Sequence, residues 1–303
     1  MKQLVILSGK GGTGKTSLGA AFAHLSSQND QTANSIFVDA DVDAANLSLV
    51  LSPQGSEQHD FWGGSLAEID TPLCIGCGAC VPVCRYDAVL LDPDHPPAYL
   101  IDPIACDGCA ACVYACPVNA ISMVKQQEGY WYRSTTPYGV LYHAELFAGR
   151  ENSGKLVTQV KQQARLWAET TQASSVIIDG PPGIGCPVIS ACAGVNLGLL
   201  VAEPSVAGLH DLKRIYSTLK HFKIPSVLCI NKSNIYPQGA RQIKEYAVDQ
   251  GIEVLGEIPY DEAFSQAMIQ GLPITELFPE SEAAQAIQDI WQKILTRLNP
   301  QEE

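Results

Sequence analysis

The feature that most constrains the fold of this chain is a glycine-rich stretch that directly follows a short apolar run. Residues 4–7 read Leu-Val-Ile-Leu, a pattern typical of a buried parallel strand. Residues 9–16 read Gly-Lys-Gly-Gly-Thr-Gly-Lys-Thr and match G-x-x-x-x-G-K-S/T, the phosphate-binding loop or P-loop. Apolar residues then recur at helical spacing over residues 18–25. A strand, this loop and a helix in that order predict a mostly parallel α/β sheet with a phosphate site at its edge.

The loop supplies the groups that hold a nucleotide. Backbone N–H groups of its glycines converge on phosphate oxygens, and the following helix adds its positive N-terminal end. We expect Lys15 to reach the β- and γ-phosphates of ATP and Thr16 to ligate Mg²⁺. The alternative, a glycine-rich turn that binds no nucleotide, has little support in a strand–loop–helix context. The predicted cofactor-binding residues of the loop are Gly9, Lys10, Gly11, Gly12, Thr13, Gly14, Lys15 and Thr16.

Aspartates follow two further apolar runs. Residues 35–38 lead into Asp39, Asp41 and Asp43, and residues 175–178 lead into Asp179. Carboxylates at the carboxyl end of a strand, beside a phosphate site, hold the Mg²⁺ shell or orient the attacking water. We expect Asp39 and Asp179 to contribute to the Mg²⁺ site and Asp41 to position the water, with Asp43 in support. The alternative is that some of the first three aspartates only cap the next helix.

Eight of the eleven cysteines form two runs with identical spacing. Each run reads C-x2-C-x2-C-x3-C, which is the ligand pattern of two 4Fe–4S clusters. Three thiolates from one tight loop serve one cluster, and the fourth begins the next segment and serves the other cluster. Structural zinc or a disulfide framework is the alternative, although zinc sites usually pair C-x2-C units over a longer gap. The predicted ligands are Cys74, Cys77, Cys80 and Cys116 for cluster 1, and Cys106, Cys109, Cys112 and Cys84 for cluster 2.

The early lysine of the P-loop points to a particular group of ATPases. Residues 10–16, Lys-Gly-Gly-Thr-Gly-Lys-Thr, resemble the deviant P-loop of the MinD/ParA/Mrp and nitrogenase iron protein group, and the resemblance covers nearly the whole chain. It implies a P-loop ATPase that forms a nucleotide-dependent dimer, either with itself or with a paralogue. It also implies that Lys10 crosses the dimer interface to the partner's nucleotide and joins Lys15 and Asp41 as a catalytic residue. A plain surface lysine is the alternative.

Later residues resemble the same group. Asn231 follows a strand and would contact the adenine edge, and Pro259 would line the base, as the resemblance implies. The segment after Asp179 resembles switch II, and Cys186 stands where the nitrogenase iron protein has a cysteine that binds a cluster shared between subunits. Cys186 is therefore a candidate metal ligand at a dimer interface. The alternative is a small buried side chain, because free cysteines pack well in cores.

The position of the cysteine runs predicts a discontinuous organisation. The two halves of the cysteine-rich segment repeat each other, as in a bacterial two-cluster ferredoxin, and glycines and prolines precede it. We predict a P-loop ATPase domain at residues 1–63 and 125–303, with a small α+β ferredoxin-like domain inserted at residues 64–124. Arg85 departs from the ferredoxin pattern, which usually has proline after the fourth cysteine. The aromatic residues 130–132 are expected to pack over the inserted domain.

The segment 143–157 carries a further candidate site. Its His143, Glu145 and Glu151 are residue types that bind metals or transmit a switch. The alternative is a structural role for His143, because a single histidine between apolar residues more often takes part in packing.

Charge and the chain start bear on partners and compartment. The net charge of −13 argues against nucleic acid or an anionic membrane as a partner and suits a basic redox protein. Because the chain runs from Met1 directly into a strand without an export signal, we expect the reducing cytoplasm. The uncharged stretch 180–202 is interrupted by prolines, so stable membrane insertion is not expected.

Two functions fit this combination of motifs. The first is ATP-gated electron transfer through the two clusters to a redox partner. The second is an assembly or carrier ATPase that delivers iron–sulfur or other metal clusters to a target protein. Ferredoxin-type ligand sets hold their clusters tightly, which favours the first.

Overall fold

A computed structural model describes residues 1–30, 32–150 and 154–299. Within these ranges the chain forms thirteen strands and ten helices. The strands are β1 (Lys2–Ser8), β2 (Ile36–Asp39), β3 (Gly55–Phe61), β4 (Gly64–Ile69), β5 (Val89–Leu91), β6 (Tyr99–Ile101), β7 (Ile121–Gln126), β8 (Gly129–Thr136), β9 (Gly139–Leu146), β10 (Ser175–Pro182), β11 (Leu197–Ala202), β12 (Ser226–Asn231) and β13 (Glu253–Ile258). The helices are α1 (Lys15–Ser27), α2 (Leu47–Leu51), α3 (Ala111–Ala115), α4 (Gly154–Thr170), α5 (Cys186–Cys192), α6 (Val206–His221), α7 (Pro237–Gln250), α8 (Ala263–Ile269), α9 (Ile274–Leu277) and α10 (Glu282–Leu298).

The chain divides into two compact units. The first, called the core unit here, comprises the described residues of Met1–His59, Tyr130–Glu145 and Asn152–Glu303. The second, called the inserted unit, comprises the described residues of Asp60–Gly129 and Leu146–Glu151. The boundaries predicted from the sequence were 63/64 and 124/125, so the structure gives the inserted unit a few more residues at both ends and an additional short segment.

A nine-stranded sheet in the order β13-β12-β11-β1-β10-β2-β9-β8-β3 organises the core unit. All neighbours from β13 to β9 pair in parallel. In β1 every residue from Gln3 to Ser8 is buried, as expected of a strand covered on both faces. The predicted mostly parallel α/β sheet is confirmed. Because these strands run in one direction, their carboxyl ends form one edge of the sheet, and this edge carries the P-loop.

Helices cover both faces of this sheet. Leu4 and Ile6 of β1 pack in a core cluster with Phe22 of α1 and Trp291 of α10, whose rings stack with centroids 5.0 Å apart. The alternating residues Val5 and Leu7 point to the opposite face, where α4, α5 and α6 pack. The buried face of α10 packs in the same core cluster. Along the described parts of the chain, no helix has both the length and the apolar character needed to cross a membrane.

The inserted unit is a small module with two antiparallel strand pairs. β4 pairs with β7 from Gly64↔Gln126 to Ile69↔Ile121, and β5 pairs with β6 from Val89↔Ile101 to Leu91↔Tyr99. Its small core is made in part of cysteines, because Cys80 and Cys112 are buried among Ala67, Val89 and Ile121. A module of this size has little apolar surface of its own to bury.

The aromatic segment before β9 does not behave as the sequence predicted. Residues 130–132 form the central part of β8 in the main sheet. Trp131 stacks on His59 at 4.0 Å and on Tyr142 at 6.3 Å between ring centroids, and both partners belong to the core unit. The aromatic character of this segment is therefore explained by packing within the main sheet.

Candidate functional site

The P-loop joins β1 to α1, and its glycines adopt conformations that other residues rarely reach. Gly12 has a φ of 75° and Gly14 a φ of 98°. A Cβ on Gly14 would come within 2.3 Å of Asn231 Nδ2, whereas a Cβ on Gly11 would meet nothing within 4 Å. The loop is thus packed tightly against the end of β12 at Gly14 and is open at Gly11, where a phosphate group has room.

Lys15 lies at the start of α1 and is only 5% exposed. Its Nζ donates to Ser8 Oγ at 3.0 Å, and Ser8 Oγ donates to the carbonyl oxygen of Lys10 at 2.6 Å. Burial lowers the pKa of the Lys15 ammonium, whereas the nearby Asp179 and Asp41 carboxylates act to raise it. An ammonium at the N-terminal end of a helix, below a glycine-rich loop, is placed to meet phosphate oxygens.

Two buried carboxylates meet at the edge of the sheet beside Lys15. Asp39 and Asp179 are opposite each other in the β2–β10 register, and each is 1% exposed. Burial raises the pKa of both carboxyl groups, and the proximity of Asp179 raises that of Asp39 further. Among the residues that the structure describes, neither Asp179 oxygen has a hydrogen-bond partner. A buried carboxylate without donors is costly unless a cation or proton meets it, so this donor set, with the nearby Thr16 hydroxyl, fits Mg²⁺.

The remaining aspartates after β2 differ in environment. Asp39 Oδ1 accepts the N–H of Asp41 at 3.1 Å, and Asp39 Oδ2 accepts the N–H of Leu47 at 3.0 Å. Asp39 therefore caps α2, whose first residue is Leu47, and its role in a metal site stays a prediction. Asp41 is half-buried, and burial raises its pKa while Lys15 lowers it. Asp43 is exposed.

The two residues expected at the base lie next to each other at the same edge. Asn231 ends β12 and pairs in register with Ile258 at the end of β13, which Pro259 follows. Asn231 Nδ2 donates to the carbonyl oxygen of Thr13 at 2.8 Å, so this amide is tied to the P-loop. Contacts of Asn231 and Pro259 with a base remain predictions.

Two charged residues near the P-loop were missed by the sequence reasoning. Glu203 directly follows β11 and forms an ion pair with Lys10. Lys232 follows Asn231, and its Nζ donates to the carbonyl oxygen of Gly12 at 3.1 Å and lies 3.4 Å from Glu203 Oε2. Both follow a strand of the parallel sheet, as the predicted aspartates do, and that position was the available signal.

The candidate Cys186 is exposed at the start of α5, whereas Cys192 and Cys229 are buried. Burial raises the pKa of the Cys192 thiol to about 11 and that of the Cys229 thiol to about 12. The other end of α5 is held by Lys161 of α4, whose Nζ donates to the carbonyl oxygens of Ser190 (3.1 Å), Ala191 (2.6 Å) and Ala193 (2.8 Å). Because Cys186 is exposed, the alternative of a small buried side chain is wrong for this residue.

The His143 segment shows packing contacts. His143 Nε2 shares a hydrogen bond of 2.8 Å with Ser134 Oγ, and its ring stacks on Tyr132 with centroids 4.9 Å apart. Burial lowers the pKa of His143 to about 4. Glu145 is exposed, and Glu151 lies outside the described residues. In the three described ranges, no group of three or more His, Cys, Asp or Glu side chains is arranged to hold a single metal ion.

The eight cysteines of the two runs line two small cavities of the inserted unit. All of them are free thiols rather than disulfides. Each cavity receives three thiols from one run and the fourth thiol from the other run. The cysteines of the first cavity are Cys74, Cys77, Cys80 and Cys116, and those of the second are Cys84, Cys106, Cys109 and Cys112. The crossover of the fourth cysteine is the arrangement that the spacing predicted. Four thiols around an otherwise largely apolar cavity form a donor set that fits a 4Fe–4S cluster.

The two cavities are built by one repeated backbone pattern. Gly76 and its counterpart Gly108 have φ values of 68° and 74°, and Asp87 and its counterpart Asn119 have values of 50° and 53°. The fourth thiol of each run accepts a backbone N–H bond. Ala88 donates to Cys84 Sγ at 3.3 Å, and Ala120 donates to Cys116 Sγ at 3.2 Å. Such bonds stabilise a thiolate, the form in which cysteine binds iron.

Comparisons with known proteins agree with this architecture. An uncharacterized protein of Methanocaldococcus jannaschii is 30% identical over 292 residues, which are 96% of each chain. The iron-sulfur cluster carrier protein of Aquifex aeolicus is 29% identical over 135 residues, 41% of this chain and 37% of that protein. The septum site-determining protein MinD of Pyrococcus horikoshii, solved with Mg-ADP, superposes with a TM-score of 0.59 at 18% identity, covering 97% of this chain and 95% of that one. The last similarity shows the fold alone.

The family assignment rests on most of the chain. The family described as "CobQ/CobB/MinD/ParA nucleotide binding domain" matches residues 4–274, which include the P-loop, the aspartate pair and Asn231. The chain belongs to the CobQ/CobB/MinD/ParA family of nucleotide-binding P-loop proteins.

Proposed function

We propose that this protein is an ATP-hydrolysing iron–sulfur protein in which nucleotide controls electron transfer to a redox partner. The observation that carries the proposal is the pair of four-thiol cavities, each completed by the fourth cysteine of the other run. A disulfide framework needs no such exchange, whereas a two-cluster ferredoxin module is built in this way. We assign the inserted unit this ferredoxin role.

The nucleotide half of the proposal rests on the groups around the P-loop. Lys15 would meet the β- and γ-phosphates, and Thr16 and Asp179 would hold Mg²⁺, which offsets phosphate charge. Asp41 would orient the attacking water, and Asn231 and Pro259 would border the base. Lys10 would act in a nucleotide-dependent dimer, formed either with a second copy or with a paralogue. The match of residues 4–274 to the nucleotide-binding domain family supports a nucleotide site in this unit.

The cluster half rests on the thiols and their surroundings. A 4Fe–4S cluster supplies reversible one-electron transfer, with a potential set by nearby charge, hydrogen bonds and solvent exposure. Ala88 and Ala120 donate to the fourth thiol of each run, while apolar side chains exclude water from the cavity walls. Cys77 and Cys109 are exposed, so each site has one ligand near the surface, where a redox protein can approach.

A carrier function is the second candidate. The relative from Aquifex aeolicus is named an iron-sulfur cluster carrier protein, and a relative from Xenopus laevis is named a cytosolic Fe-S cluster assembly factor. Each matches only about two fifths of this chain. In this alternative the protein would deliver clusters, and the exposed Cys186 would be a candidate transfer site.

The ligand assignment is tested by anaerobic reconstitution followed by iron analysis. The wild-type chain is expected to bind about eight irons, four for each cluster. Cys80→Ala and Cys112→Ala are each expected to bind about four. Cys192→Ala is the matched control, because Cys192 is also buried but lines neither cavity. About eight irons in Cys80→Ala, or about four in Cys192→Ala, would contradict the assignment.

The two functions are separated by what happens to the clusters when ATP is added. In the electron-transfer function, the iron stays bound and the reduction potential of the clusters shifts with ATP. In the carrier function, iron moves to an apo-ferredoxin acceptor, and Cys186→Ala slows the movement. An unchanged potential together with rapid cluster transfer would replace our proposal by the carrier function.

A further inference from the structure

Glu203 stands at the P-loop as the common partner of two lysines. One oxygen of its carboxylate pairs with Lys10, and the other lies 3.4 Å from the Nζ of Lys232. Lys10 is part of the P-loop, and Lys232 donates to the carbonyl oxygen of Gly12. One carboxylate therefore holds both the ammonium group of Lys10 and that of Lys232.

The position of this carboxylate is fixed by its own backbone. The carbonyl oxygen of Glu203 accepts the N–H of Ser205 at 2.8 Å. A Cβ on Gly208 would come within 2.2 Å of the same carbonyl oxygen, so α6 packs closely on this residue. The Glu203 side chain is 17% exposed, compared with 37% for Lys10 and 33% for Lys232. The Glu203 carboxylate is thus the least exposed member of the trio, and both lysine side chains reach towards it.

The charge state of the trio follows from its geometry. Burial alone would raise the pKa of Glu203, but the Lys10 and Lys232 ammonium groups lower it overall, so the residue is a carboxylate at neutral pH. With nucleotide bound at the P-loop as proposed above, its phosphates would bring several negative charges close to Lys10, a residue of this loop, and to Lys232, which is bonded to it. The phosphates must share these lysines with Glu203 or draw them away, and they meet the like charge of the carboxylate as they do so.

We propose that Glu203 limits the affinity of the P-loop for phosphate and reduces its preference for nucleoside triphosphate over diphosphate, by holding Lys10 and Lys232 on its own carboxylate. Glu203 is thereby a positioning and specificity-determining residue that acts through the two lysines. The inference rests on the nucleotide binding proposed above. It concerns the strength and selectivity of binding and is independent of the clusters.

The test is calorimetric titration of the full chain with Mg-ADP and with the magnesium salt of a non-hydrolysable ATP analogue, adenylyl imidodiphosphate. Glu203→Gln keeps the size of the side chain, removes its charge and replaces one of its two accepting oxygens with an NH2 donor. We expect the triphosphate to bind roughly tenfold more tightly, which is about 1.4 kcal/mol. We expect a gain of about threefold for the diphosphate, because it carries one fewer charge.

Two further variants make the test specific. Glu253→Gln changes the net charge by the same amount at the β13–α10 surface, where Glu253 pairs with Arg297, and it is expected to leave both affinities unchanged. In a Lys10→Met background, Glu203→Gln is expected to have a smaller effect on triphosphate binding, because one of the two released ammonium groups is then missing.

The outcomes separate this inference from the function on which it rests. Wild-type chain that binds neither nucleotide would contradict the proposed function and the inference with it. Wild-type chain that binds nucleotide, with Glu203→Gln binding the triphosphate no more tightly, would contradict the inference alone. Equal gains for the triphosphate and the diphosphate would also overturn it.

Discussion

Replacing Asp179 with asparagine is expected to make the protein more stable when neither metal nor nucleotide is present. Asp179 is buried beside Asp39, and within the described ranges its oxygens have no hydrogen-bond partner at normal distance. Burial is the largest cause that raises its pKa from 3.8 to about 6. The nearby Thr16 hydroxyl and Lys15 ammonium act to lower this pKa without outweighing burial. A shift of about two pH units corresponds to about 3 kcal/mol at neutral pH. A buried amide that lacks a partner retains a cost of about 1 kcal/mol, so we expect a net gain of about 2 kcal/mol.

The pH dependence gives this prediction its sign. The carboxyl group binds its proton more tightly in the folded protein than in the unfolded chain. Between pH 3.8 and about 6 the folded state therefore holds more protons, and the free energy of unfolding falls as the pH rises. Above this pH window the ionised Asp179 lowers the free energy of unfolding by its full amount, and below the window this effect disappears. The advantage of Asp179→Asn is thus expected at pH 7 and should shrink as the pH is lowered through the window.

The assay is urea unfolding with EDTA and without nucleotide, followed by tryptophan fluorescence. Three of the four tryptophans, Trp131, Trp167 and Trp291, belong to the core unit, so the signal reports mainly on that unit. Asp43→Asn is the control, because Asp43 is exposed in the same edge of the sheet, and its effect should stay within about 0.5 kcal/mol. Saturating Mg-nucleotide should reverse the order, since the wild type gains binding energy that the variant lacks. A less stable Asp179→Asn at pH 7, or a gain that persists at low pH, would refute the reasoning.

Two other predictions concern the P-loop glycine and the buried lysine. Gly14→Ala should lower the free energy of unfolding by about 2–5 kcal/mol, because the left-handed backbone of Gly14 and its contact with Asn231 leave no room for a Cβ. Gly11→Ala is the control and should fold normally when both variants are measured by urea unfolding. Equal stability of the two variants would contradict the packing argument. Burial lowers the pKa of Lys161 from 10.5 to about 8, so the folded protein loses this proton at a lower pH than the unfolded chain does. Above pH 8, the free energy of unfolding of the wild type relative to that of Lys161→Met should therefore rise by about 1.4 kcal/mol per pH unit. Stability curves of these two proteins that stay parallel from pH 7 to 10 would show that the ammonium carries no such cost.

The sequence predicted those parts of the site that are local in the chain. The strand, P-loop and helix are continuous in sequence, and the structure forms them as β1 and α1. Asp39 at the end of β2 and Asp179 in the second half of β10 could be placed together because the carboxyl ends of parallel strands lie at one edge of a sheet. The crossover of Cys84 and Cys116 could be foreseen because the fixed spacing of the thiols determines which cavity each can reach.

The remaining features depend on contacts between distant residues. Lys232 and Gly12 are 220 positions apart in the sequence, and no local sequence pattern predicts their contact. Glu203 carries no sequence signal of its ion pairs, since a single glutamate after apolar residues does not reveal that two lysines approach it. Trp131 was expected to cover the inserted domain because its neighbours in sequence lead out of it. The order of strands in the sheet places it between His59 and Tyr142 instead.

The points where the chain leaves and rejoins the main sheet have a consequence for how such a protein can arise. β3 and β8 are neighbours in the sheet, and the N–H of Glu128, just before β8, donates to the carbonyl oxygen of Phe61, the last residue of β3, at 2.9 Å. A short turn between the same two strands would close the sheet equally well, since the entropy of closing a loop grows only slowly with its length. A gene could therefore acquire or lose the cysteine-rich segment in a single recombination event, with the reading frame of the host strands preserved and their pairing unchanged.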